Sequence, residues 1–159
     1  MVDITEISAI VAAAGVLVGV IYYVLDMRHQ RQVRQSDMVI RLYNTFGSTE
    51  FAKSYQKVHS LELEDFAGYL KKYGTDPEVY AAMVNVGVFF EGIGLLAKRK
   101  LIDMSLVHDL FSSIVRLTWE KMAPIFKGRR EQLKAPSYGE WFEYLYNEMK
   151  RQQQASKTA

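Results

Sequence analysis

The sequence predicts an all-α protein, a long N-terminal transmembrane helix continuing into a cytoplasmic helical bundle. Three observations carry this expectation. Ile7 to Leu25 is an uncharged run of 19 residues. Downstream, apolar residues recur at helical spacing between capping residues and glycines, and no strand-like alternation of useful length interrupts them. With 159 residues the chain has room for one ordinary domain. The expected organisation is a transmembrane segment over 1–26 with its span at 7–25, a helical domain over 27–151 and a polar tail over 152–159.

At about 1.5 Å per residue, the Ile7–Leu25 run nearly crosses a hydrocarbon core of ~30 Å as a helix. A secretory signal needs a basic start and a small-residue cleavage site. Here Asp3 and Glu6 precede the run, which ends Tyr22-Tyr23-Val24-Leu25-Asp26, so the segment is expected to be retained. No Lys or Arg precedes the span, whereas Arg28, Arg31 and Arg34 follow it. The positive-inside rule therefore puts the short N-terminus outside and the rest in the cytoplasm of a cell-membrane protein. Tyr22 and Tyr23 then lie at the inner interface, and the three arginines anchor to headgroups.

Within the span, Thr5, Ser8, Ala12, Gly15, Gly19 and Tyr22 alternate at spacings of three and four. One helical face thus carries small residues for about four turns, and Gly15 with Gly19 forms a G-x-x-x-G that permits close backbone approach. Ile10, Val11, Leu17, Val18, Ile21, Val24 and Leu25 fall on the lipid-facing side. The expected consequence is a homo-oligomer, either a tight dimer or a ring with Thr5, Ser8, Ala12, Gly15 and Gly19 facing a narrow pore.

The remaining helices follow in order. The first continues past Val33, Val39, Ile40 and Tyr43 to Phe46, and Gly47 ends it. Ser48 caps a second over Thr49–Ser60. A third is expected from about Leu63 to Tyr73, stopping at Gly74. Asp76, Pro77 and Glu78 supply a cap, a first-turn proline and a first-turn acid for a fourth, running to about Arg99. Asp103 or Ser105 opens a fifth through Trp119, bent or ended near Pro124. Pro136 and Ser137 precede the last, from Tyr138 to about Arg151, followed by a frayed tail. Val79–Ala97 also has the length of a span, but Glu91 at mid-length and Lys98, Arg99 and Lys100 beyond it oppose insertion. It reads as the central helix of the bundle, with Gly87, Gly92 and Gly94 admitting close neighbours.

Glu91, flanked by Phe89, Phe90 and Ile93, must be paired, hydrogen-bonded or protonated. An antiparallel hairpin brings Arg116 or the Trp119 indole within its reach, either as a register-fixing buried pair or as a perturbed acid at a ligand site. Trp141, Phe142 and Tyr144, with Leu145 and Tyr146, crowd one helix with aromatics and read as a docking surface for a protein partner or a neighbouring subunit.

Several chemistries find no support. A net charge of +2 is too small for a nucleic-acid coat, so no nucleic-acid partner is expected. Without cysteine there is no thiolate ligand or nucleophile. His29, His59 and His108 lack metal-ligand spacing, and Ser112 and Ser113 lack a nucleophile elbow. No enzyme and no cofactor is expected. The most concrete functional reading is a membrane-anchored, self-associating interaction or signalling module, with an oligomeric ion channel as the alternative.

Arg41-Leu42-Tyr43, Phe89-Phe90-Glu91-Gly92-Ile93-Gly94 with Leu101-Ile102-Asp103, Trp119-Glu120, and Glu140-Trp141-Phe142-Glu143-Tyr144-Leu145 together resemble a family of small prokaryotic membrane-anchored helical proteins of unknown function. The resemblance covers most of the chain and rests on helix-packing patterns. It implies the architecture of one N-terminal span plus a helical domain, and it transfers no activity and no catalytic residue.

Overall fold

A computed structural model describes residues 3–158, with side chains through residue 154. Among the described residues there are six helices and no strand, as the fold class predicts. Helix α1, Ile4–Phe46, is one rod of 43 residues. Asp3 opens it by accepting from the Thr5 amide at 3.4 Å, and Gly47 closes it by returning its amide to the Tyr43 carbonyl. Helix α2, Thr49–Ser60, is capped by Ser48 Oγ on the Phe51 amide at 3.2 Å. Helix α4, Pro77–Lys98, carries the expected Asp76 cap on the Glu78 and Val79 amides, with Pro77 in its first turn.

Three boundaries differ from expectation. Helix α3 spans Phe66–Tyr73 and starts three residues late. Leu61 and Leu63 are buried in the preceding connection, and the Asp65 carboxylate caps the Gly68 amide at 2.7 Å. Helix α5, Met104–Leu133, does not end at Pro124 but continues through it. The missing proline amide and the ring clash cost about 3 kcal/mol in a helix interior. Burial of Ile125 and Phe126 just beyond, at about 1.5–3 kcal/mol per large apolar side chain, offsets that cost. Helix α6, Glu140–Thr158, begins two residues late and continues through the segment expected to fray. Ala159 lies outside the described residues.

Helix α4 lies at the centre, with α2 against one side and α6 against another. Helix α5 packs on α6 and α3 and meets the lower part of α1. The core is largely aromatic. Phe51 and Phe89 approach to 4.5 Å between centroids, Phe90 and Phe142 stack at 4.8 Å, and Trp119 meets Phe142 edge-on at 5.0 Å. Only the last third of α1 joins this core, through buried Val39 with Met38, Leu42 and Phe46 packed beside it.

Of the three α4 glycines, Gly94 makes the close approach. A Cβ there would stand 1.9 Å from the Trp141 carbonyl oxygen of α6, so the α4–α6 contact is a backbone contact. Gly87 faces the Phe126 ring more loosely. Gly92 has nothing within 4 Å, contrary to the expectation that it admits a neighbour.

Candidate functional site

Two features stand out: the uncovered amino-terminal half of α1, and the junction of Glu91 with the start of α6. The most apolar 18-residue window of α1 is long and apolar enough to cross a membrane, and none of it is buried. By contrast, 44% of the corresponding window of α4 is covered by the fold. Each Val, Leu or Ile left bare in water forgoes about 1.5–3 kcal/mol, and Ile10, Val11, Val16, Leu17, Val18, Val20 and Ile21 are all more than half exposed.

Thr5, Ser8, Ala12, Gly15 and Gly19 lie along this bare rod. Ser8 returns its hydroxyl to the Thr5 carbonyl at 2.9 Å, so it can sit in an apolar setting without stranding a donor. A Cβ at Gly15 or Gly19 would meet nothing within 4 Å. Tyr22 and Tyr23 are exposed at the lower end of the apolar run. Below them a polar rail runs down the helix: Gln30 donates to Asp26 at 2.7 Å, and Arg34 donates to Gln30 at 3.3 Å. Arg28 and Arg31 are exposed on the same stretch.

Glu91 meets neither of its expected partners. The Arg116 guanidinium donates to Gln153 Oε1 at 2.6 Å, and Trp119 is buried among Phe126, Phe142 and Tyr146. Instead Glu91 Oε2 accepts the Phe142 backbone amide at 2.8 Å. The reason lies at the start of α6. Gly139 accepts the first helical bond, from the Glu143 amide, and so occupies the capping position. Its φ is +73°, and a Cβ would collide with Phe126 at 2.1 Å, so no Ser, Thr or Asp can stand there to cap. A carboxylate from α4 supplies the missing acceptor at the positive end of the α6 dipole.

Burial pushes the Glu91 carboxyl above its ordinary value, against the amides of Phe142, Trp141 and Gly139 that draw it down, while nearby Glu140 adds to the rise. The native state therefore holds this proton more tightly than the unfolded chain does. The resulting stability is full below the ordinary carboxylate value and is lost as pH rises through the folded-state value. Replacing Glu91 with glutamine keeps an acceptor for Phe142 and removes the ionisation. Thermal melts from pH 4 to 8 should show the variant at least as stable as the parent near neutrality and lacking this pH-dependent loss. Glu91→Ala strands the α6 amides and should cost about 1–2 kcal/mol. Parallel pH profiles for parent and glutamine variant would contradict this account.

The proposed docking aromatics divide. Phe142 is fully buried together with Leu145 and Met149, so it anchors α6 to its own bundle and is not available to a partner. Trp141 and Tyr144 flank that face half-buried, with the Lys98 ammonium 4.9 Å from the Tyr144 ring. An uncovered apolar stripe lies instead on α4, at Tyr80, Val84, Val88 and Leu95. Two of these, Val84 and Val88, line a pocket of about 230 Å³ with Glu91, Phe126 and Tyr138. Sequence pattern missed the stripe because α4 is apolar on nearly every side. Among the described residues, no three His, Asp or Glu side chains are grouped to hold a metal ion.

The profile of a family described as Domain of unknown function (DUF4760) matches residues 9–149. The chain belongs to this family. The matched region begins inside the bare part of α1 and ends at Met149 of α6, so rod and bundle fall within one family unit. No curated protein matches the chain, and no solved structure does.

Proposed function

We propose that the chain is a single-pass membrane protein that self-associates through the small-residue face of α1 and acts as an interaction or signalling module. Its short N-terminus lies outside and its helical domain in the cytoplasm. The observation that carries this reading is the complete lack of cover on the apolar window of α1, in a chain whose other apolar helix is packed into a core. A bilayer removes that surface from water, and a second copy meets the face that lacks side-chain bulk. The arginines following the span support the orientation. The uncovered stripe on α4 supports a role in contacting other proteins, since contiguous exposed apolar surface marks interaction sites.

Gly19→Leu tests the association. A leucine side chain holds two backbones apart at a face where Gly15 and Gly19 allow contact, and helix pairs of this kind gain about 1–2 kcal/mol from such packing. Sedimentation equilibrium of the full chain in detergent should give a dimer whose dissociation constant rises about tenfold in the variant. An unchanged constant removes the small-residue face from the interface. A ring of about five or more subunits would favour the channel reading, because two helices packed on glycines enclose no lumen.

A further inference from the structure

Six residues below Leu25, α1 passes the turn between α4 and α5, and the two enclose a groove of about 440 Å³ whose lining includes Met27, Arg31, Arg34, Gln35, Arg99 and Lys100. This volume is within the ~300–1,000 Å³ typical of small-ligand clefts. Four of the lining residues are cationic. Among the described residues, none of the four forms an ion pair. What sets these four apart is that one groove gathers them, with no carboxylate among its lining residues.

The turn is built to hold its charges in place. Lys100 returns its amide to Ala97 and Leu101 returns its own to Leu96, closing α4 in the six-to-one and five-to-two pattern that ordinarily places glycine at the left-handed position. Lys100 occupies that position with φ 55°. A glycine would adopt it without the Cβ penalty of roughly 1–2 kcal/mol, and Lys134 closes α5 in the same conformation. The Gln35 side chain donates to the Lys100 carbonyl at 2.9 Å and ties the turn to α1.

The groove also points at the bilayer of the reading above. Helical side chains lean toward the N-terminus of their helix, so Arg31 and Arg34 reach back toward the span. At about 1.5 Å per residue, Arg31 sits ~9 Å below Leu25, close beneath an interfacial layer of ~5–8 Å. A shallow furrow lined by Tyr23, Val24, Met27, Arg28 and Arg31 shares Met27 and Arg31 with the groove and leads up to the end of the apolar run.

We propose that this groove binds the phosphate of an anionic phospholipid headgroup, with Arg31, Arg34, Arg99 and Lys100 as its cationic walls and the acyl chains rising along the Tyr23–Met27 furrow. The site fixes the tilt of the helical domain on the membrane and makes its docking depend on anionic lipid. It rests on the membrane-spanning reading of α1.

The test uses the full chain in detergent, with phosphatidylglycerol or phosphatidylcholine added and lipids retained per protomer counted by native mass spectrometry. The parent should retain phosphatidylglycerol in preference to phosphatidylcholine. Removing two charges with Arg31→Gln and Arg99→Gln together should weaken retention about tenfold or more. Lys100→Gly should weaken it severalfold while melting no lower than the parent, which separates the charge from the fold. Lys71→Gln, on the exposed side of α3, should leave retention unchanged. Millimolar inorganic phosphate should not displace the lipid. Equal retention of the two lipids, or unaffected binding in the double variant, overturns the proposal. Displacement by inorganic phosphate makes the groove a site for a free anion and also overturns it. Failure of the spanning reading shows separately, as release of the parent chain from membranes at alkaline pH. Failure of the site alone leaves the chain in the membrane without lipid preference.

Discussion

Gly94→Ala is expected to cost about 3 kcal/mol or more. The added Cβ would lie 1.9 Å from the Trp141 carbonyl oxygen and 2.5 Å from its carbon. Both are backbone atoms, so no side chain can swing aside and the α4 and α6 axes must part. Overpacking of this kind typically costs 1–3 kcal/mol and sometimes exceeds it. The displacement also draws Glu91, one turn earlier on α4, off the Phe142 amide it accepts. Against a total stability of ~5–15 kcal/mol, the melting temperature should fall by about 10 °C or more. Gly92→Ala is the internal control. Its Cβ meets nothing within 4 Å, and alanine is favoured over glycine by up to about 1 kcal/mol inside a helix, so this variant should melt at or above the parent. Shifts of equal size and sign at the two positions would contradict the close α4–α6 approach.

A chain that begins at Met27 should dissolve without detergent and melt within a few degrees of the parent. The described residues it loses include every exposed aliphatic of the upper rod, from Ile4 to Leu25, and none of the core. Val39, Leu42 and Phe46, through which α1 joins the bundle, all remain. Residues that touch nothing in the folded state contribute to stability only through the unfolded chain, where the effect of single changes is usually a few tenths of a kcal/mol. A large drop in melting temperature, followed by circular dichroism, would mean that the rod supports the bundle through contacts the fold does not show.

Much of the architecture was legible because helix ends are written in side chains. Ser48, Asp76 and Asp103 each cap the amides that their spacing predicts, and Gly47 and Gly74 close the helices they follow; the Asp3 cap of α1 was not read from the sequence. The misjudged boundaries depend on tertiary burial. Nothing local distinguishes Leu61 and Leu63 packed in an extended connection from the first turn of α3, and Pro124 ends a helix unless residues beyond it have a core to enter. The partner of Glu91 was hidden for a different reason. Its donor is a backbone amide, which has no letter in the sequence, whereas Arg116 and Trp119 do. The one available signal was Gly139 before a helix start, a capping position with no side chain to do the capping. On α6 the burial of Phe142, Leu145 and Met149 follows a three-and-four spacing that the surrounding Trp141, Tyr144 and Tyr146 obscure. The small-residue spacing of α1 falls on the part of the rod that the bundle leaves bare.

The most direct measurement is the distribution of the full chain and of the chain beginning at Met27 between membrane pellet and supernatant after washing in alkaline carbonate. A spanning helix cannot leave the bilayer without exposing its apolar surface to water. The full chain should stay entirely with the membranes and the shortened chain should be entirely soluble. Release of the full chain into the supernatant would contradict the account, because the bare half of α1 would then have to be covered by protein and not by lipid.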